Sequence, residues 1–157
     1  MAAGGYRAID SLRLEKGYRV WGTDITPDET PHEAGLSFCV RDKAFIGADA
    51  LRARAVQRRL VCVVLEDPRS VALGNEPVAV GGQVVGRVTT GGFGYTTGAS
   101  IAYAYVPVEH AAPDTEVAID VFGRWIGGRV VAEPLYDPAG QRVKGSRTGT
   151  AATPTIG

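Results

Sequence analysis

The sequence predicts an α+β fold that is mainly β, in which a short helical and loop segment precedes a small barrel of six strands. Glycine and proline are abundant: 21 and nine copies make up 30 of the 157 residues, above the roughly 12% that the two contribute to an average protein. We therefore expect short elements and many turns. One helical pattern lies near the start, and after about residue 58 short β-branched or aromatic runs alternate with Gly, Pro or Asp. These observations favour a β-rich body with a small helical part before it.

Residues 6–16 are predicted to form one short amphipathic helix. Ile9 and Leu12 recur at helical spacing, and Gly17 follows as a C-terminal stop. Residues 22–32 contain mostly turn-forming residues and predict an ordered loop.

A short apolar strand is expected at 36–40. A second helix is expected over 46–57, with Asp49 near its start.

Six strands are predicted after this segment, joined in two places by glycine-containing turns. Their ranges are 60–65, 77–80, 84–89, 100–106, 116–122 and 129–132, with turns at 81–82 and 123–128. The domain prediction is therefore an N-terminal part at 1–57, a barrel at 58–142 and a flexible tail at 143–157.

Composition argues against several classes of function. A formal net charge of zero and a pI near 6.7 provide no broad basic surface for nucleic acid, and no apolar run approaches the roughly 20 residues that span a bilayer. The first residues lack the apolar core of a signal peptide, so a cytoplasmic location is the expectation.

The usual catalytic and metal motifs are not found. Cys39 and Cys62 lie in apolar stretches and are expected to be buried and inert, and with two histidines no metal site is predicted. The glycine-rich stretch at 91–98 lacks the Lys-Ser/Thr ending of a phosphate loop. We therefore predict neither a catalytic residue nor a metal ligand.

Some polar and aromatic residues could instead bind a ligand. Arg13 and Trp21 suit a planar ligand that carries carboxylates, because guanidinium pairs with carboxylate and indole stacks on flat rings. The alternative for Arg13 is an internal ion pair within its helix.

Six stretches of the sequence carry a family resemblance. In order, they are Asp10-Ser-Leu-Arg-Leu-Glu-Lys-Gly-Tyr-Arg-Val-Trp-Gly-Thr-Asp-Ile, Thr30-Pro-His-Glu-Ala-Gly-Leu, Asp42-Lys-Ala-Phe-Ile-Gly-Ala-Asp-Ala-Leu, Gly86-Arg-Val-Thr-Thr-Gly, Ile101-Ala-Tyr-Ala-Tyr-Val-Pro and Glu133-Pro-Leu-Tyr-Asp-Pro. Over residues 6–142 the chain resembles the aminomethyltransferase, or glycine cleavage T-protein, family in its C-terminal part. Two of these segments, Tyr-Arg-Val-Trp-Gly at 18–22 and Glu-Pro-Leu-Tyr-Asp-Pro at 133–138, resemble the sarcosine and dimethylglycine dehydrogenase branch of the family.

The resemblance implies a role with tetrahydrofolate, which in this family accepts a one-carbon unit. In flavin-linked members the donor is oxidised in an FAD domain; no FAD-binding glycine motif is present here, so FAD would lie in a separate domain or partner. The chain resembles the last part of these proteins, without the larger folate-binding region that precedes Tyr6 in them. We therefore do not expect it to be active alone.

Four residues are candidates for cofactor binding on this resemblance: Arg13, Trp21, Glu33 and Tyr136. Arg13 matches a family arginine and either contacts the ligand or braces its helix, whereas Ile9 replaces an arginine that contacts folate in the glycine-cleavage enzymes. Glu33 matches a family position but could instead accept backbone N–H bonds. Trp21 forms a cofactor wall or packs under the barrel, and Tyr136 lies where the C-terminal end returns to the cofactor.

Two functions follow as hypotheses. The first is the C-terminal lobe or small subunit of a folate-dependent aminomethyltransferase or N-demethylating oxidoreductase system, partnered by an N-terminal folate-binding portion or an FAD-containing subunit. The alternative is a non-catalytic assembly module of a multi-subunit flavin-dependent amine dehydrogenase. Self-association is a further expectation, because Ile9 and Leu12 would lie exposed if neighbouring segments were absent.

Overall fold

A computed structural model describes residues 5–145. Three helices and six strands are assigned: α1 Tyr6–Lys16, α2 Ala48–Ala53, β1 Arg58–Leu65, β2 Pro77–Val80, β3 Gln83–Gly94, β4 Ala99–Pro107, β5 Glu116–Val121, β6 Arg124–Val131 and α3 Gln141–Lys144. Short 3-10 turns occupy Ser37–Cys39 and Val108–His110. No helix within the described range is long and apolar enough to cross a bilayer.

The six strands form a closed antiparallel barrel in the order β1-β4-β3-β2-β5-β6, with β6 paired back to β1. Closure leaves every strand with two neighbours, so the barrel presents no long open edge. The predicted fold class, a short helical and loop segment followed by a six-stranded barrel, is confirmed.

Strands β1 and β4 bury both of their faces. On β4, Ala102, Ala104 and Val106 point into the barrel core, and the alternate residues Tyr103 and Tyr105 point outward. The outward set packs with α1 in a second cluster, which contains Leu14, Leu60, Cys62, Ile101, Tyr103 and Tyr105. The N-terminal segment therefore lies against the outer face of β1, β3 and β4.

Helix α1 has the predicted bounds but a different buried face. It ends at Gly17, whose left-handed backbone (φ 74°) lets the last turn close back on the Arg13 and Leu14 carbonyls. Leu14 is buried against the barrel, whereas Ile9 and Leu12 are exposed. The stripe of Ile9 and Leu12 is therefore free of contact with the barrel.

The prediction of a strand at 36–40 is wrong. Residues Ser37–Cys39 form a 3-10 turn, in which the Cys39 amide bonds to the Leu36 carbonyl at 3.1 Å. Local bonds satisfy this backbone, and the closed barrel offers no free edge to a seventh strand. The turn leaves Cys39 exposed, contrary to prediction, while Cys62 is buried as expected.

The bounds of helix α2 and of the turn between β5 and β6 also differ from prediction. Helix α2 is shorter than 46–57, because Gly47 in a left-handed conformation (φ 88°) precedes it and Arg54 is already extended. The turn between β5 and β6 needs just Phe122 and Gly123, both at positive φ, so residues 124–128 belong to β6.

The predicted boundaries at 57/58 and 142/143 remain predictions. Residues 143 and 144 belong to α3, and most of the predicted tail lies outside the described residues.

Candidate functional site

A groove of about 370 Å³ lies between α1 and the C-terminal residues that follow the barrel. We call it the α1–Tyr136 groove. It is lined by Ile9, Leu12, Arg13, Glu15, Lys16, Tyr18, Tyr136, Asp137 and Arg142. Two of the four candidate residues, Arg13 and Tyr136, are thus brought together in one groove.

Two contacts hold the C-terminal residues against the last turn of α1. The Tyr136 amide donates to the Glu15 carbonyl at 3.0 Å. The Lys16 ammonium donates to the Asp137 carbonyl at 2.6 Å and to its carboxylate at 3.2 Å. Because α1 itself is packed on the barrel, these contacts give the groove two fixed walls.

The groove combines apolar and aromatic walls with one available positive charge. Ile9 and Leu12 contribute exposed aliphatic side chains, and the Arg142 guanidinium lies 5.8 Å from the centre of the Tyr136 ring. Among the described residues, Arg142 has no carboxylate within 4.0 Å, so its charge is available to a ligand. This arrangement suits a flat apolar ligand that carries a negative charge.

Asp137 neutralises Lys16, one of the three cationic side chains that line the groove. Partial burial raises the pKa of this carboxyl, but hydrogen bonds from Lys16 and from the Gln141 and Arg142 amides outweigh that effect and lower the pKa below its usual value. Asp137 is therefore charged at neutral pH and paired with Lys16, and Arg13 is paired with Asp24, so within residues 5–145 Arg142 is the groove cation without a carboxylate partner.

Arg13 is a brace in this structure. Its guanidinium donates to the buried Asp24 carboxylate at 2.7 Å and to Thr90 Oγ1 at 3.3 Å, and it lies 3.4 Å from Asp10. These contacts agree with the internal ion pair considered for Arg13. A direct contact between Arg13 and a ligand remains a prediction.

Trp21 and Glu33 do not line the groove. Trp21 is 70% exposed at the base of a tight turn, where it pairs with Ile25, so packing under the barrel does not occur. Glu33 is buried and accepts from the Thr30 amide at 2.8 Å and the Thr30 hydroxyl at 2.9 Å, and Arg58 lies 3.8 Å from it. This is the structural use considered for Glu33, and its role toward a cofactor stays a prediction.

A larger groove of about 620 Å³ lies between α1 and β3. It shares Arg13 with the α1–Tyr136 groove and adds the exposed rings of Tyr6 and Tyr95. Because it contains one candidate residue rather than two, we take the α1–Tyr136 groove as the better candidate.

Sequence reasoning missed Tyr18 and Arg142 as groove residues. Tyr18 lies inside the family-like stretch at 10–25, and its position directly after the helix stop at Gly17 was the available signal. Arg142 is brought to the groove by a turn at 137–140 that no periodicity indicates.

In the part of the chain that the structure describes, the buried cysteine and the metal-binding side chains form no second site. Burial raises the pKa of the Cys62 thiol to about 12, which keeps it protonated. No group of three His, Cys, Asp or Glu side chains suited to a metal is found within residues 5–145.

Two family models match the sequence. The model described as "Glycine cleavage T-protein C-terminal barrel domain" matches residues 58–137, and the model described as "GCVT N-terminal domain" matches residues 1–44. The first matched range contains all six strands of the barrel.

Curated relatives are similar over most of the chain. Mitochondrial sarcosine dehydrogenase of Mus musculus is 40% identical over 154 residues, which cover 90% of this chain and 17% of that protein. An aminomethyltransferase of Symbiobacterium thermophilum is 45% identical over 138 residues, which cover 84% of this chain and 36% of that protein. The chain therefore spans less than half the length of either relative.

A solved structure shows the same fold. The glycine cleavage system aminomethyltransferase T from Bartonella henselae matches with a TM-score of 0.77 and 33% identity, covering 83% of this chain and 38% of that one. The chain therefore belongs to the glycine cleavage T-protein family, and its six-stranded barrel is the C-terminal barrel domain of that family.

Proposed function

We propose that the chain is the C-terminal lobe or small subunit of a tetrahydrofolate-dependent aminomethyltransferase or N-demethylating oxidoreductase system. In this proposal the α1–Tyr136 groove forms part of the folate site. The observation that carries it is the convergence of Tyr18, Tyr136 and Arg142 on an apolar face of α1, where Arg142 has no carboxylate partner among the described residues, in a member of a family that resemblance links to folate.

The chemistry of the groove fits a reduced folate. Folate presents flat rings and a glutamyl group with carboxylates, which require aromatic or apolar walls and a guanidinium or ammonium group. The Tyr18 and Tyr136 rings, the Ile9 side chain and Arg142 provide these groups. When bound, tetrahydrofolate supplies the nitrogen that accepts the one-carbon unit.

The residues of this chain bind and orient rather than transfer protons. Tyr136 provides a ring face, and Arg142 pairs with a ligand carboxylate in place of solvent. Lys16 and Asp137 keep the two walls at a fixed separation by pairing with each other. The contribution of this lobe to the reaction is therefore the positioning of the cofactor.

The rest of the site is supplied by another polypeptide portion in this proposal. Ile9 and Leu12 are 61% and 59% exposed, so one wall of the groove faces solvent in this chain. An N-terminal folate-binding portion or an FAD-containing subunit would cover that wall. Any flavin chemistry would then occur in a separate domain or partner, and this chain alone would not turn over substrate.

Calorimetric titration with 5-formyltetrahydrofolate, a stable reduced folate, tests the proposal. We expect saturable binding by the full chain, with affinity reduced about tenfold in Tyr136→Ala because a stacking surface is lost. Tyr95→Ala is the matched control, since this exposed tyrosine lies in the groove between α1 and β3. An equal loss of folate affinity in both variants, or a loss of affinity in Tyr95→Ala alone, would reject the α1–Tyr136 groove as the folate site.

The alternative, a non-catalytic assembly module, is favoured by one observation. Trp21 is exposed and lies outside the α1–Tyr136 groove, as expected of a residue that docks another subunit. The test is Trp21→Ala in sedimentation and folate titration. Weakened association with a partner subunit and unchanged folate affinity would support the assembly role. Unchanged association and weakened folate affinity would support a cofactor role for Trp21.

A further inference from the structure

We infer that Asp24 is a positioning residue for the α1–Tyr136 groove, although its carboxylate lies outside that groove. This inference rests on the proposed function. Asp24 is 1% exposed and comes from the loop that follows α1, and its carboxylate contacts the groove residue Arg13 on one side and Thr89 and Thr90 of the barrel on the other.

The carboxylate of Asp24 accepts hydrogen bonds from four donors, two at each oxygen. Its Oδ2 accepts from Arg13 at 2.7 Å and from the Val20 amide at 2.9 Å. Its Oδ1 accepts from the hydroxyls of Thr89 and Thr90 at 2.6 and 2.7 Å. One side chain therefore joins α1, the following loop and β3.

The same residue closes the turn at 20–24, which follows Tyr18 in the chain. The Asp24 amide donates to the Val20 carbonyl at 2.9 Å, and the Tyr105 hydroxyl donates to the Asp24 carbonyl at 3.0 Å. The Arg13 guanidinium, held by Asp24, is also 3.4 Å from the Tyr18 carbonyl. Asp24 thus fixes Arg13 and the backbone of Tyr18, which both line the groove.

Charge makes this role specific to a carboxylate. An asparagine has almost the same size, but its amide nitrogen is a donor and must face either Arg13 or the threonine hydroxyls. The ion pair with Arg13 is lost in either orientation, so the guanidinium is held less firmly. The walls of the groove should become mobile even though the barrel remains folded.

The test compares Asp24→Asn with Glu29→Gln in the full chain. Glu29 is the matched control because it is also a buried carboxylate, accepting from Thr26 at 2.8 and 2.5 Å and lying 3.1 Å from Arg58, away from the groove. Titration with 5-formyltetrahydrofolate should show about tenfold weaker binding for Asp24→Asn and unchanged binding for Glu29→Gln. Wild-type affinity for folded Asp24→Asn would overturn the inference.

A second measurement follows Arg13 directly. In NMR spectra, the Arg13 Nη1–H protons, which donate to Asp24 in the wild type, should exchange with solvent faster in Asp24→Asn than in the wild type and Glu29→Gln. If the wild-type chain fails to bind the folate, the proposed function fails for this chain, and unchanged exchange in Asp24→Asn would separately reject the positioning role. Should Asp24→Asn not fold, Thr90→Val removes one donor to Asp24, and it should give a smaller change in the same direction in both measurements.

Discussion

Two buried carboxylates, Glu15 and Asp24, attach the N-terminal segment to the barrel. Glu15 accepts from the Thr96 and Thr97 amides at 2.6 and 2.8 Å, and so ties the end of α1 to the turn between β3 and β4. Buried carboxylates are tolerated because such donors replace the water that was lost. At the residue scale, polar contacts therefore specify how the segment sits on the strands.

The two cysteines should differ sharply in reactivity. Cys39 is exposed, whereas burial raises the pKa of Cys62 to about 12 and denies reagents access to it. We expect one thiol per folded chain to react with Ellman's reagent at pH 8, and two per chain in denaturant. Cys39→Ser should abolish the fast reaction, and two thiols that react at the same rate in the native chain would contradict the described burial.

Gly86 should not tolerate a side chain. A Cβ at this position would lie 2.0 Å from the Tyr105 carbonyl oxygen, which belongs to the backbone of the neighbouring strand β4. We predict that Gly86→Ala lowers the free energy of unfolding by about 2 kcal/mol or more, as overpacking does. Gly5→Ala, where nothing lies within 4 Å, is the control for urea denaturation, and an equal effect of the two changes would contradict the packing.

At the element scale, the apolar contact of α1 with the barrel is made by Leu14 rather than by the stripe of Ile9 and Leu12. Periodicity predicted the helix and its bounds, because spacing and the stop at Gly17 are local properties. It could not identify the buried face, since Ile9, Leu12 and Leu14 are all apolar and the barrel decides which of them is covered. The strand predicted at 36–40 failed for a similar reason, because β propensity cannot reveal that the barrel is already closed.

A pair of leucines tests this description of α1. Leu14 is 2% exposed and packs on the outward face of β1 and β4, so Leu14→Ala should lower the free energy of unfolding by about 2–4 kcal/mol. Leu12→Ala, at a mostly exposed position, should change it by less than about 0.5 kcal/mol. Urea denaturation measures both, and similar values for the two would mean that α1 does not bury Leu14.

The whole molecule combines a barrel that sequence patterns predict well with a groove that brings together two of the four candidate residues. Six runs rich in β-branched residues, separated by glycine turns, were sufficient to predict the six strands of the barrel, because strand alternation is a short-range signal. Arg13 and Tyr136 were candidates by resemblance, and they meet although they lie far apart in the chain. Tyr18 and Arg142 were missed because their proximity depends on tertiary structure rather than on spacing.

Acid should weaken the link between the N-terminal segment and β1. Burial raises the pKa of Glu29, but hydrogen bonds from the Thr26 hydroxyl and amide and the charge of Arg58 outweigh it, so the folded pKa is lowered. A lowered pKa means that the stabilisation is present above the unfolded value of about 4.3 and is lost as pH falls through the folded pKa. In urea denaturation, wild type should exceed Glu29→Gln in stability at pH 7 and approach it near pH 3; a constant difference would contradict the assignment.

The most direct test of the central claim is to locate the bound folate on the chain by amide chemical-shift mapping. Titration of the isotope-labelled chain with 5-formyltetrahydrofolate should shift the signals of Leu12, Tyr18, Tyr136 and Arg142 together, with one common binding curve. Signals on the far turn at Phe122 and Gly123 should not move. Shifts confined to the groove between α1 and β3, or no saturable shift at any concentration, would contradict the claim that the α1–Tyr136 groove is this chain's part of a folate site.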